Sequence, residues 1–311
     1  LAETTTPITL PAAPPPDLPE GVRVAALPGT GVLRVAGEDR IAFLQGLVSN
    51  DVSAVAEDRA VWSAFLTPQG KYLHDFFIAA QADALLILCE AERRGDLFRR
   101  LRMYRLRSKV ELADVTEQYG AALAFGTGAA AAFGLPAAPG AAAAAADGIA
   151  FVDPRRAELG VRIVLPRGSM TGLLDAYSDG SLAEWDRIRL ALGVPDGSRD
   201  LVPEKSILLE SGFDELQGVS WTKGCYMGQE LTARTKYRGL VKKRLMPVLI
   251  EGPLPPPGTQ ILADGKDAGE MRSGIEGLGL ALVRLDAAAG SHPLEAAGTR
   301  LQPLKPAWAG F

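Results

Sequence analysis

Residues 223–230 read Lys-Gly-Cys-Tyr-Met-Gly-Gln-Glu. Two glycines, Gly224 and Gly228, bracket Cys225, and glycine lets a backbone turn sharply or approach another group closely. Gln229 and Glu230 suit the first turn of a helix that continues through Leu231 and Ala233. Cys225 then stands just before a helix N-terminus and beside Lys223, and both features favour the thiolate over the thiol. The same residues allow a second reading, a buried structural cysteine, which is a common fate of unpaired Cys.

Upstream, residues 195–222 are loop-rich and follow a helix over Leu182–Leu192 that carries Trp185. Earlier still, Gly31–Val35 reads as a strand and Gly37-Glu38-Asp39 opens a helix with Ile41, Leu44, Leu47 and Val48 on one face. Trp62–Leu66 and Tyr72–Ala79 read as strands joined by the turn Thr67-Pro68-Gln69-Gly70, and Leu85–Glu90 as a third. A helix capped by Asp96 follows, with Leu97, Leu101 and Tyr104 at helical spacing, then a strand from Lys109 to Leu112. Residues 121–148 are dominated by Ala and Gly, with Gly140–Gly148 expected as a loop. Phe151–Asp153 and Val161–Leu165 read as strands.

Downstream, the basic run Arg234–Arg244 gives way after Pro247 to short strands with Gly- and Pro-rich turns: Val248–Ile250, Gln260–Ala263, Leu278–Val283 and Arg300–Pro303. That pattern predicts a small all-β barrel.

The chain has 311 residues, a length that favours two or three domains over one core. A net charge of -4 gives no overall basic footprint for nucleic acid, which leaves only a local patch. Two cysteines, Cys89 and Cys225, form no CxxC pair, and with His74 and His292 as the only histidines they supply too few ligands for a His- or Cys-based metal site. This cysteine usage fits a reducing compartment, and no run of 18 apolar residues predicts a membrane span. The first 21 residues hold six prolines, without the apolar core or basic start of a signal peptide, and predict an extended, poorly ordered arm.

The segment KGCYMGQELTAR resembles the KGCYxGQE signature of the YgfZ-type folate-binding proteins, matched at Lys223, Gly224, Cys225, Tyr226, Gly228, Gln229 and Glu230. The likeness extends to Phe43-Leu44-Gln45-Gly46 with Asp51, to the Pro68–Lys71 turn and to Ser108-Lys109-Val110. Gly193-Val194-Pro195, Glu210-Ser211 and Lys242-Lys243-Arg244-Leu245 resemble most the mitochondrial branch, which assists iron–sulfur protein assembly. The family is related to the glycine-cleavage T-protein, a tetrahydrofolate-dependent aminomethyltransferase.

The resemblance implies an α+β, three-domain ring with two mixed α/β domains and a C-terminal β-barrel. The expected division is an arm over 1–21, a discontinuous folate-binding-type domain over 22–112 plus 193–242, a second domain over 113–192, and the barrel over 243–311. It implies tetrahydrofolate as the cofactor, Cys225 and Asp75 as catalytic groups, and Trp185, Glu210, Lys223, Tyr226, Gln229, Glu230 and Arg234 as cofactor-binding residues. Asp75 matches the second of two adjacent acids in the T-protein pattern, with His74 in place of the first. Two departures narrow the likeness. Thr30 stands where the family has a second tryptophan, and Ala191 stands where the T-protein has a glutamate.

Three functions follow as expectations. The first is a folate-binding accessory factor for iron–sulfur cluster assembly or repair. It would have assembly proteins or cluster-containing clients as partners, in a bacterial cytoplasm or a mitochondrial matrix. The second is a folate-dependent aminomethyl or one-carbon transferase. The third is a factor associated with tRNA modification, using the basic runs at Arg99–Lys109 and Arg234–Arg244.

Overall fold

The computed structural model describes residues 10–239 and 241–311. The chain first lays down β1 (Arg23–Ala26), β2 (Thr30–Ala36), α1 (Arg40–Gln45), β3 (Val61–Leu66), β4 (Tyr72–Gln81), β5 (Ala84–Glu90), α2 (Arg94–Tyr104) and β6 (Glu111–Asp114). It continues through β7 (Tyr119–Phe125), α3 (Ala129–Ala132), β8 (Ala142–Ala145), β9 (Gly148–Val152), β10 (Val161–Pro166), α4 (Met170–Asp175), β11 (Ser178–Asp179) and α5 (Leu182–Leu192). After α6 (Gln229–Tyr237) come β12 (Lys243–Glu251), β13 (Gln260–Ala263), β14 (Lys266–Ile275), β15 (Leu278–Arg284), α7 (Leu285–Ala288), β16 (Leu294–Ala296) and β17 (Thr299–Pro303).

These strands form two open sheets and one closed barrel. The first sheet runs β3-β4-β5-β2-β6, the second β11-β1-β7-β10-β9-β8, and the barrel β12-β15-β14-β13-β16-β17. Strand β5 is largely apolar and β4 is buried over its first eight residues because both of their faces are covered. Side chains alternate across a strand, so Phe76, Ile78, Leu85 and Ile87 pack under α1 and α2. Phe77, Ala79, Leu86 and Leu88 face the other way and share a core with Leu123, Phe151 and Val164 of the second sheet. The barrel interior is filled by its own side chains, among them Met246, Val248, Ile261 and Met271.

Helix α5 joins the units. Ser181 and Glu184 cap its start reciprocally, and Gly193, at φ 72°, ends it in the left-handed conformation. Its Arg189 is fully buried and donates to Asp186 (2.9 Å), Asp200 (2.7 Å), the Val194 carbonyl (3.0 Å) and Ser273 of the barrel (2.8 Å).

The α+β architecture with a C-terminal barrel stands as expected, and four local expectations change. Residues 1–9 of the Pro-rich arm lie outside the described residues. Residues 11–13 are tied down: Ala13 donates to the Lys305 carbonyl and Lys305 to the Pro11 carbonyl, both at 2.8 Å. Proline cannot donate, but its carbonyl accepts, and an extended Pro-rich strand is already shaped for such pairing. Strand β1 belongs to the second sheet, between β7 and β11, although it precedes the first sheet in sequence. Gly140–Gly148, expected as a loop, contains β8, whose alanines pair with β9 and give no apolar alternation to read. Asp96 does not cap α2. The N-cap is Arg93, and Asp96 lies in the first turn, where it favours the helix dipole and pairs with Arg99 and Arg100.

Candidate functional site

A cavity of about 510 Å³ opens between the first sheet, the second sheet and α5. The exposed Gly29, Leu182 and Arg199 and the half-buried Thr30 line its outer part, and Asp75, Phe77, Arg155, Arg162 and Trp185 line its buried part. Asp75 and Phe77 share it because they are two apart on β4. His74 points to the opposite side of the sheet and bonds Asp96 at 2.9 Å.

The Asp75 carboxylate accepts from the Trp62 indole (2.9 Å) and the Tyr72 hydroxyl (2.8 Å). Burial raises its pKa to about 6, against those two hydrogen bonds. A carboxyl titrating there can exist in both protonation states near neutrality, which suits acid–base work. Trp185 lines the cavity but is only 4% exposed. Its indole donates to the Leu159 carbonyl at 3.0 Å, and the Arg162 guanidinium lies 5.7 Å from its ring centroid. The same guanidinium sits 4.1 Å over the Phe77 ring.

Beneath this floor Asp153 is fully buried and bound by two arginines. Arg155 donates to it through Nε (2.8 Å) and Nη2 (2.7 Å), and Arg162 through Nε (3.0 Å). Burial alone would raise Asp153, but Arg155 and Arg162 outweigh that and hold it below its ordinary value. Sequence reading passed over this group. Its signal was Arg162 itself, a charge inside the apolar run Val161–Leu165, where an unpaired cation would be costly.

The Cys225 segment is separate. None of Glu210, Lys223, Cys225, Tyr226, Gln229, Glu230 or Arg234 lines the cavity. Cys225 is exposed, while Cys89, at the cavity wall, is buried and pushed up to about 12 by desolvation. Gly228, at φ 80°, is the N-cap of α6, so the expected helix start is right. A Cβ added at Gly228 would lie 2.5 Å from the Thr67 carbonyl, and Gly70 would meet Gly228 as closely, so the two turns interlock.

Lys223 ties the start of this segment to the chain upstream. Its ammonium donates to the carbonyls of Val48 (2.6 Å) and Asn50 (2.7 Å), and burial lowers it to about 8, with Asp51 opposing. Tyr226 is buried in the central core, and burial lifts its phenol to about 12. Gln229 accepts from the Tyr226 backbone N–H (3.1 Å) and closes the turn. Glu230 and Arg234 pair with each other on the surface of α6 at 2.5 Å. Glu210 lies in the turn after Ile207, where burial raises its pKa and Lys71 opposes. Among the described residues, no three His, Cys, Asp or Glu side chains gather as a metal site.

Two family models match the chain: the GCVT N-terminal domain over residues 20–172 and the CAF17 C-terminal beta-barrel domain over residues 242–311. The chain is 35% identical over 275 residues to the human mitochondrial iron-sulfur cluster assembly factor IBA57, covering 83% of this chain and 76% of that protein. It belongs to the IBA57 family. The mouse mitochondrial IBA57 is 32% identical over 88% of this chain and 81% of its own length, and a homologue from Mycosarcoma maydis is 30% identical over 85% and 74%. Among solved structures, the glycine cleavage aminomethyltransferase T of Bartonella henselae superposes with a TM-score of 0.78 at 14% identity, over 93% of this chain and 87% of that one, and so shares the fold. The resemblance drawn from the sequence is thereby shown at the level of the IBA57 family.

Proposed function

We propose that this IBA57-family protein supports iron–sulfur cluster assembly, with Cys225 as an exposed working thiol and the cavity as a tetrahydrofolate site. The observation that carries the reading is the pairing of an exposed thiol with a loop fixed at both ends, by Lys223 at one and Gly228 at the other. A single cysteine cannot hold a cluster that takes four thiolates, so the role that fits is a transient ligand or redox-sensitive thiol completed by a partner. The family relatives, named for cluster assembly, support the partner class, and with it a mitochondrial matrix setting.

The cavity suits a flat ligand of folate size. Phe77 and the edge of Trp185 would wall it, Asp75 would face its polar atoms, and Arg162 would offer donors. Tetrahydrofolate, when bound, would supply a carried one-carbon unit. The cavity and the thiol are separate features, so each is tested alone. In cells lacking the endogenous protein, Cys225→Ala should fail to restore cluster-enzyme activity although the protein accumulates normally, and full rescue refutes the thiol role. Calorimetric titration of tetrahydrofolate into the wild-type protein should give one site, and no heat refutes the cofactor.

The position of Asp75 favours a second reading, aminomethyl or one-carbon transfer with Asp75 as the acid–base group. Turnover of methylene-tetrahydrofolate with an amine acceptor, lost in Asp75→Asn, would establish it.

A further inference from the structure

The turn between α2 and β6 carries side chains that the folded chain does not use. Leu106 stands at the first central position of the turn Arg105–Ser108, which the Ser108 N–H closes on the Arg105 carbonyl at 2.8 Å. Its φ is 45° and its side chain is 84% exposed. A positive φ at that place suits Gly, Asn or Asp, so a leucine there costs backbone strain as well as setting apolar surface in water. One helical turn earlier, Met103 is 61% exposed. Cations surround the two side chains. Between Leu97 and Val110 the sequence has no acid, but it has Arg99, Arg100, Arg102, Arg105, Arg107 and Lys109. Of the acids on the flanking elements, Asp96 takes Arg99 and Arg100, Asp114 takes Arg94, Glu38 takes the Lys109 ammonium and Asp39 the Lys109 N–H. That leaves the exposed Glu92 and Glu111 against the exposed Arg102, Arg105 and Arg107, none of which makes an ion pair among the described residues. The whole chain carries a net charge of -4, so the sign inverts locally at this turn.

A side chain as exposed as Leu106 stands clear of any opposing wall, so the turn is a projection and not one side of a groove for a helix or strand. Its aromatic residue, Tyr104, packs edge-on against Phe65 and is not free to stack on a base. A projecting leucine ringed by arginines fits a surface that is anionic outside and apolar just beneath. We infer that this turn docks on an anionic phospholipid surface, with Leu106 and Met103 entering the acyl boundary and Arg102, Arg105 and Arg107 on the phosphates. A guanidinium takes two phosphate oxygens at once, which suits it to that layer. The negative balance of the remaining chain is repelled by the same lipids, and this selects the turn as the point of contact. With only two apolar side chains to insert, the contact is reversible, well short of a lipid anchor. It uses neither the thiol nor the cavity, so its failure would leave the proposed assembly role intact.

Co-sedimentation of the full chain with vesicles tests this, using phosphatidylcholine alone and phosphatidylcholine with about 30% phosphatidylglycerol. The protein should partition onto the second and not the first, and less so as salt rises. Each of Arg102→Gln, Arg105→Gln and Arg107→Gln should weaken partition about fivefold. Leu106→Gly should weaken it about tenfold. Glycine accepts the positive φ, so this variant should melt about where the wild type does, and a folding defect cannot explain the loss. Nitroxide-labelled acyl chains should quench Leu106→Trp beyond the level seen for the wild type. Equal partition onto the two vesicles overturns the inference, and so does unchanged partition of Leu106→Gly, which would reduce the contact to charge alone. If neither vesicle is bound while a single-stranded RNA is, through the same arginines, the turn is a nucleic-acid contact and the lipid inference falls.

Discussion

His74 and Asp75 are consecutive on β4, face opposite sides of the sheet, and are shifted in opposite directions by the same cause. Burial lowers His74 from 6.5 to about 4, against its hydrogen bond to Asp96, and raises Asp75 from 3.8 to about 6. Between those values the folded state binds an extra proton at Asp75 and lacks one at His74. As pH rises through this window, Asp75 therefore removes stability and His74 adds it, each by roughly 3 kcal/mol over the window.

The wild-type protein should accordingly show little dependence on pH from these two groups between about pH 4 and 6.5. Asp75→Asn should unmask a rise in stability with pH, and His74→Gln a fall. Urea melts at half-unit pH steps check both, and parallel profiles for all three proteins would contradict the assignment.

Lys223→Met should destabilise the protein by about 1–3 kcal/mol, since two carbonyls, of Val48 and Asn50, lose their charged donor. Cys225→Ala, at an exposed position, should stay within about 0.5 kcal/mol. Denaturant midpoints compare them directly.

Two glycines of the same segment should differ on substitution. At Gly224, φ 95°, an added Cβ meets nothing within 4 Å, so Gly224→Ala costs only backbone strain, about 1 kcal/mol. At Gly228 the Cβ also meets the Thr67 carbonyl at 2.5 Å and Gly70 at 3.0 Å, so Gly228→Ala should cost clearly more and shift the turn. Equal melting temperatures would show that the two turns do not interlock.

Arg189→Met leaves the buried Asp200 without its cation and removes the bonds to Asp186, which keeps Arg199, and to Ser273. A loss of about 3–5 kcal/mol is expected for breaking one side of a buried ion pair. Protease cleavage near α5 and the barrel junction should accelerate in this variant before the first sheet is attacked.

Much of the fold was legible because its elements carry strong local signals. The all-apolar run of β5, the turn at Thr67–Gly70, the periodicity of α5 and the strand-and-turn rhythm after Pro247 all survive in the structure. Three of the elements missed lack such signals. Strand β8 is four alanines, while β14 carries Gly269, Arg272 and Ser273 among its apolar residues and β16 is three residues long. The structure brings Asp75 and Trp185 to one cavity, while the Cys225 neighbours lie outside it. Lys223 and Tyr226 have roles, as carbonyl clamp and core filler, that depend on chain segments far away, while Gln229 closes its own turn on Tyr226. The Asp153–Arg155–Arg162 group went unread because the partners of a buried charge are seen only once the strands are paired.

The interlocked turns at Gly70 and Gly228 have an energetic meaning for association. A macromolecule that docks on a wandering loop must spend part of its binding free energy on freezing that loop. Cys225 stands on a segment immobilised before any encounter, so contact there would convert almost wholly into residence time, and loosening the seat at either glycine should shorten that time without touching the sulfur.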